Sequence, residues 1–206
     1  MSTTELTPDY LQTKATTQKA LLEKPLSWLR CLKVRKYCVG KSVLDFGCGA
    51  GLTNLLALRG QAAHLAGLDQ LFFGTPPRTN ADGIAIYGSY DELPQSAFDV
   101  ITALAVFEHI EPAELPLVLT NLKRSLKKGG LVVGTVPTPR GQPVLEFLSY
   151  KLGLIDESQI RDHKKYYNRE ELADQFASAG FKLVDYKTFQ AGMNSFFVAC
   201  LSQRKG

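Results

Sequence analysis

The stretch Val43-Leu44-Asp45-Phe46-Gly47-Cys48-Gly49-Ala50-Gly51 restricts the possible folds more than any other part of this chain. An apolar run of strand length enters a turn with glycine at alternate positions, and a helix-forming run carrying Leu55 and Leu56 follows. Glycines let the backbone turn tightly and approach a ligand with no Cβ in the way. A strand leading through such a turn into a helix is the first half of a βαβ unit, and these units build a parallel sheet covered on both faces.

The rest of the sequence keeps that rhythm. Strands are expected over residues 42–46, 65–68, 84–87, 98–106 and 131–136, with the first helix starting near residue 52. Over residues 112–126, Leu115, Leu119, Leu122 and Leu126 recur at helical spacing, and Lys127-Lys128-Gly129-Gly130 is expected to end that helix. Asn168 with Glu171 three positions on reads as a reciprocal helix cap, Gly180 as the helix stop, and residues 181–189 and 194–201 as two closing strands. The glycine and prolines within residues 71–83 argue against a full helix there. Residues 137–167, with Val144, Leu145, Leu148 and Leu152 at helical spacing, read as a lid or substrate insertion. The expected organisation is an N-terminal helical cap over residues 1–40 and one α/β domain over residues 41–206.

Composition narrows the class. The chain has 206 residues, enough for one sizeable core, and no apolar run approaches the ~20 residues that span a bilayer. The first twenty residues are too polar for a signal peptide, so the expected location is the cytoplasm. Cys31, Cys38, Cys48 and Cys200 contain no CxxC pair, and reduced thiols are expected. The net charge of +4 is uneven: residues 1–41 hold eight basic residues against Glu5, Asp9 and Glu23. This leader, with Trp28, Leu29 and Leu32, suits peripheral contact with an anionic lipid surface, nucleic acid or an acidic substrate; the alternative is a solvated helix face packed on the main domain.

Asp69 follows Gly49 by twenty residues, at the end of the second strand, where an acid accepts hydrogen bonds from ribose hydroxyls. The pattern therefore points to a nucleoside-type cofactor. It does not point to a dinucleotide, because Leu52 stands where a third glycine is wanted and Asp45 would repel a pyrophosphate. A carboxylate at that strand tip suits a cation, and S-adenosylmethionine carries an ammonium, a sulfonium and no phosphate.

Four further stretches complete a pattern with the glycine turn: residues 86–94 with Leu93-Pro94, residues 98–110 from Phe98-Asp99-Val100 to Phe107-Glu108-His109-Ile110, residues 122–130, and residues 170–181 ending Ala-Gly-Phe. Together these resemble the class I S-adenosylmethionine-dependent methyltransferases of small-molecule type, over about residues 41–201. The resemblance implies a doubly wound, Rossmann-like, mostly parallel sheet of seven strands with the last strand inserted antiparallel. It implies S-adenosylmethionine as cofactor, S-adenosylhomocysteine as product, and Gly47, Cys48, Gly49 and Gly51 beneath the cofactor. By the same resemblance Asp45 lies near the cofactor's amino acid end, Asp69 and Gln70 near its ribose, and Ala105, at the strand tip, also against the cofactor. Ser89 and Tyr90 stand where relatives often place an aspartate on the adenine amino group, a contact that Asp91 or a backbone group would then supply. Phe72 or Phe73 is available for the adenine face.

Transfer of a methyl group from a sulfonium is an in-line displacement, so a base is needed only when the acceptor must lose a proton. His109, at the end of the 98–106 strand, and His163, beside Asp162, are the candidates; lid anchoring is the other reading for His163 and a structural role for His109. His64 lies in a polar link outside this group. Ala105-Val106-Phe107-Glu108 replaces the Asn/Asp-Pro-Pro-aromatic segment that holds a flipped base, which argues against DNA. No clustered carboxylates are visible, so no metal is expected. The mixed polar and apolar lid favours a small-molecule acceptor: O-methylation of a sugar, lipid-linked or secondary-metabolite hydroxyl, with a sugar or lipid-linked sugar as the favoured acceptor. The competing readings are an RNA methyltransferase that uses the basic leader and a cofactor-binding module without turnover.

Overall fold

The computed structural model describes residues 23–147, 151 and 160–202. The expectations for residues 1–22 and for Leu148 and Leu152 lie outside those residues. The elements run α1 (Glu23–Cys38), β1 (Ser42–Phe46), α2 (Thr53–Leu58), β2 (His64–Leu68), β3 (Arg78–Thr79), β4 (Ala85–Tyr87), β5 (Phe98–Leu104), α3 (Leu115–Ser125), β6 (Leu126–Pro137), α4 (Gln142–Glu146), α5 (Arg169–Ser178), β7 (Phe181–Phe189) and β8 (Asn194–Leu201). Short 3-10 turns occupy Gln70–Phe72, Tyr90–Glu92 and Phe107–His109.

The strands form one sheet in the order β3-β4-β2-β1-β5-β6-β8-β7. Strands β4, β2, β1, β5 and β6 are parallel, and β8 runs antiparallel between β6 and β7. These are the seven expected strands with the last one inserted antiparallel. The eighth, β3, is a two-residue strand antiparallel to β4 inside the 71–83 segment, where no full helix forms. From β1 the chain winds outward through β2 and β4, then crosses back to β5 and β6. The order therefore reverses between β1 and β5, and ligands of open α/β sheets bind beyond the carboxyl ends of strands at such a point.

Alternate residues of the central strands feed two cores, which is why these strands read as unbroken apolar runs. Leu44, Phe46 and Ile101 meet Leu115, Leu119 and Leu122 of α3 and Leu172 and Phe176 of α5. On the opposite face Val43, Val100 and Val133 meet Val34 and Cys38 of α1 and Leu58 of α2. The outer side of α1 leaves Trp28 and Leu32 61% and 40% exposed. All four cysteines are free, and among the described residues no helix is long and apolar enough to cross a membrane.

One expected helix end is corrected. Helix α3 stops at Ser125, Leu126 is already extended and pairs with Phe98, and residues 127–130 belong to the start of β6. Lys127 turns back onto Asp99 at 3.0 Å, and the register slips between Phe98 and Val100. Gly129, at φ +79°, therefore turns the entry to a strand instead of capping a helix. The expected cap of α5 is present: Glu171 N–H donates to the Asn168 side chain at 2.9 Å, and Asn168 N–H donates to Glu171 at 3.1 Å.

Candidate active site

The glycine turn is held from both sides. Gly47 N–H donates to the Leu68 carbonyl at 2.8 Å, and φ is +74°. A Cβ on Gly47 would stand 2.5 Å from a Val106 methyl, so the tip of β5 leans directly on this residue. Gly49, at φ +62°, faces open space with nothing within 4 Å of an added Cβ. Gly51 then leads into Leu52, itself left-handed at φ 49°, and α2 begins.

Asp69 ties the end of β2 to this turn. Its Oδ2 accepts the Gly49 N–H at 2.8 Å and its Oδ1 accepts the Leu71 N–H at 3.0 Å, capping the 3-10 turn that Gln70 opens. Each carboxylate oxygen keeps lone-pair capacity beyond the one bond it accepts. Asp45 lies beneath the turn, only 3% exposed. Its Oδ1 accepts from Asn54 Nδ2 at 2.8 Å and Thr102 Oγ1 at 2.5 Å, while burial lifts its pKa to about 6. The Cys48 side chain turns inward: a Cβ on Gly67 would sit 2.6 Å from its sulfur, and burial pushes the thiol pKa up. At Cys48 the backbone alone faces the turn.

The next wall comes from β4. Glu92 accepts the N–H groups of Gly88 at 2.7 Å and Ser89 at 3.1 Å, fixing the turn through Tyr90. Tyr90 stacks at a tilt on Phe46, with ring centroids 6.2 Å apart, and its burial raises the phenol pKa to about 12. Asp91, the alternative adenine partner, has a 93% exposed side chain that faces Arg124 at 3.8 Å. Phe72 is buried beneath the Arg78 guanidinium and Phe73 is exposed.

Beyond β5, Ala105 takes φ +57°, a conformation that costs a non-glycine residue about 1–2 kcal/mol. Its N–H donates to Thr135 at 2.9 Å. The bend sends Val106 onto Gly47 and drives Phe107 into the core, where it stacks on Phe197 at 5.8 Å. The following residues receive the end of the lid: Glu108 C=O accepts the Lys164 N–H at 2.6 Å and the Lys165 N–H at 3.3 Å.

That seating brings the two candidate histidines together, ring edge to ring face, with centroids 4.8 Å apart. His109 Nδ1 lies 3.2 Å from Asp162 Oδ2, and His163 Nδ1 lies 2.9 Å from the Tyr166 hydroxyl. Burial lowers the His109 pKa against the opposing pull of Asp162. Burial, His109 and Arg30 together lower His163 to about 4. Glu108 lies close to both, 1% exposed, its pKa raised by burial to about 7. The sequence pointed to both histidines and missed Glu108, although its place beside His109 at a ligand-facing strand end was the available signal. Asn54 and Thr102, which hold Asp45, carried no comparable signal. His64 opens β2 at its amino end, away from the carboxyl ends of the strands where this group lies.

The cradle fits S-adenosylmethionine. Gly49 opens on free space beside a partly exposed carboxylate, and a second carboxylate lies below it to balance a cation, with neither feature suited to a phosphate.

Comparison with known proteins agrees. Residues 24–186 match the family described as methyltransferase domain. The ubiquinone biosynthesis O-methyltransferase of Pseudomonas syringae is 30% identical over 185 residues, covering 79% of this chain and 75% of that one. The ribosomal protein L11 methyltransferase of Xanthomonas oryzae is 35% identical over 85 residues, and a probable fatty acid methyltransferase of Pseudomonas putida is 27% identical over 173. Those matches take in 38% and 78% of this chain but span only 27% and 42% of the two relatives' lengths. Among solved structures, the DhpI complex with S-adenosylhomocysteine superposes with a TM-score of 0.63 at 12% identity, over 94% of this chain and 92% of that one. An S-adenosylmethionine-dependent methyltransferase from Mesorhizobium loti gives 0.58 at 17% identity, over 87% and 99%. With its family match and its sheet order, the chain belongs to the class I S-adenosylmethionine-dependent methyltransferases.

Proposed function

We propose that this methyltransferase acts on a hydroxyl group of a small molecule with an apolar body, of lipid-linked or secondary-metabolite type, with a sugar hydroxyl as one member of the class. The observation that carries the reading is the meeting of His109 and His163, one from the strand end beside the cofactor cradle and the other from the lid. Bound S-adenosylmethionine supplies an activated methyl group; the chain supplies alignment, a dry pocket and a place for the acceptor's proton. Gly49 and Asp69 hold the nucleoside end. Asp162 keeps the His109 Nδ1 proton, which leaves the lone pair on Nε2 for the acceptor. His163 is neutral at pH 7 but too weakly basic to take the proton itself, so His109 takes it and His163 positions the hydroxyl.

The apolar body of the acceptor is inferred from the lid and α1. Leu145 of α4 packs on Ile160 and Tyr166, and Tyr166 in turn holds His163. Nearby in sequence, Val144 and Phe147 remain exposed, as do Trp28, Leu32 and Val39 of the basic leader. Relatives named for a fatty acid and for ubiquinone biosynthesis support the same class.

The test begins with titration of S-adenosylhomocysteine, expected to bind in the micromolar range while NADH does not. Transfer of labelled methyl from S-adenosylmethionine is then measured on phenolic, hydroxy-lipid, lipid-linked sugar and RNA acceptors. Uptake confined to hydroxyl-bearing small molecules, and lost in His109→Ala with S-adenosylhomocysteine binding intact, is the expected result. Uptake on RNA alone, with affinity that falls steeply with salt, would overturn it.

A further inference from the structure

Glu108, His109 and His163 each direct a possible ligand atom into one small volume: a carboxylate oxygen and two imidazole nitrogens all lie within 4.8 Å of one another. Two features separate this group from a chance cluster. Glu108 is 1% exposed, and its Oε2 is buried with no hydrogen-bond partner among the described residues. A buried polar atom left in that state is costly unless a bound group meets it. Both imidazoles, moreover, have Nδ1 engaged from outside, His109 by the Asp162 carboxylate at 3.2 Å and His163 by the Tyr166 hydroxyl at 2.9 Å. A histidine engaged at one nitrogen by a carboxylate or hydroxyl keeps its other nitrogen for a ligand, the outer-shell arrangement found around metal-binding histidines.

We propose that Glu108, His109 and His163 form a binding site for a divalent first-row transition ion of the zinc type, closed when the lid end at residues 160–167 seats on the turn after β5. The inference rests on reading this cluster as the acceptor end of the methyltransferase. One carboxylate oxygen and two imidazole nitrogens form a ligand set that zinc accepts, with a fourth position left open. Ligand atoms around such an ion stand roughly 3.5 Å apart, so the present spread must contract by ~1 Å, which a rotamer adjustment of His163 on the lid can supply. Arg30, which acts on Glu108 and His163, and Lys164, which acts on His109, oppose a cation here; Glu108 and Asp162 favour one. The ion would take the His109 lone pair that otherwise accepts the acceptor's proton. Ion and acceptor therefore exclude each other, and the site is one through which a transition metal blocks the enzyme.

Zinc ion is titrated calorimetrically into the full chain, and S-adenosylhomocysteine into the same samples. One zinc per chain at micromolar Kd is expected, weakened at least a hundredfold in His163→Ala and about tenfold in Asp162→Asn, with S-adenosylhomocysteine affinity unchanged in both. Absence of saturable zinc binding, or binding of wild-type strength in His163→Ala, overturns the proposal. Zinc binding that follows this pattern in a protein that methylates no hydroxyl acceptor would sink the acceptor chemistry and leave the metal site standing. Hydroxyl methylation that zinc does not inhibit, in a protein without the zinc isotherm, would do the reverse.

Discussion

Asp69 Oδ2 accepts the backbone N–H of Gly49 at 2.8 Å, which fastens the end of β2 to the middle of the turn that leaves β1. The same carboxylate caps the 3-10 turn after it through Leu71 N–H at 3.0 Å. One side chain thus fixes both lips of the glycine turn, and a turn held by its own hydrogen bonds spares ligand binding part of its ordering cost.

Asp69→Ala removes the tie and a charged acceptor at once. Isothermal titration should show S-adenosylhomocysteine affinity falling by on the order of tenfold or more, since a charge-assisted hydrogen bond is lost. Asp69→Asn keeps one acceptor oxygen and should lose less. Wild-type affinity in the alanine variant would remove Asp69 from the site.

Two glycines of the turn should respond differently to alanine. At Gly47 the new Cβ meets a Val106 methyl at 2.5 Å, on a backbone already at φ +74°, so about 2–3 kcal/mol of stability should be lost. Val106→Ala should restore part of it in the double variant. At Gly49 nothing lies within 4 Å, so only the φ +62° strain of ~1 kcal/mol applies, while the Cβ enters the ligand's space. The Gly49 variant should therefore melt close to wild type and bind S-adenosylhomocysteine poorly. The opposite pairing of effects would mean that the open side of the turn has been misassigned.

The sheet was legible because both cores are written into alternate residues: Val43 and Leu44, adjacent in sequence, feed opposite faces. The glycine turn and Asp69 were legible because spacing along one strand–turn–helix unit fixes their relation. The histidine pair was visible only as two separate candidates. Their meeting depends on Lys164 N–H reaching the Glu108 carbonyl at 2.6 Å, a contact between segments more than fifty residues apart that no local pattern encodes. The end of α3 was misread for the opposite reason. Residues 127–130 satisfy the local rules for a helix stop, but pairing of Leu126 with Phe98 and of Lys127 with Asp99 draws them into the sheet.

Asp45 gives the clearest pH signature. Burial raises its pKa from 3.8 to about 6 in the folded chain, so between those values the folded state holds a proton that the unfolded state has released. Unfolding free energy therefore falls as pH rises from about 4 to 6, and the loss is complete above that window. Asp45→Asn keeps an oxygen for Asn54 and Thr102 and removes the titration, so its melting temperature relative to wild type should improve steadily across that range. Parallel melting curves from pH 4 to 7 would mean that the carboxyl titrates normally.

Phe107 joins stability to the proposed acceptor side. It is fully buried among Phe46, Phe176 and Phe197, and it anchors the turn that carries Glu108 and His109. Phe107→Ala should cost about 3–5 kcal/mol, much of the stability of a domain this size. Phe107→Leu is the more informative change, at roughly 1–1.5 kcal/mol, because the chain stays folded while the anchor loosens. Asp69, Gly49 and the β2 end do not depend on this ring, so S-adenosylhomocysteine affinity should hold. Methyl transfer should fall, because His109 can no longer be held at a fixed distance from His163 and the lid. A leucine variant with unchanged transfer would show that the turn keeps its geometry without the aromatic anchor, and that the lid end alone positions the two histidines.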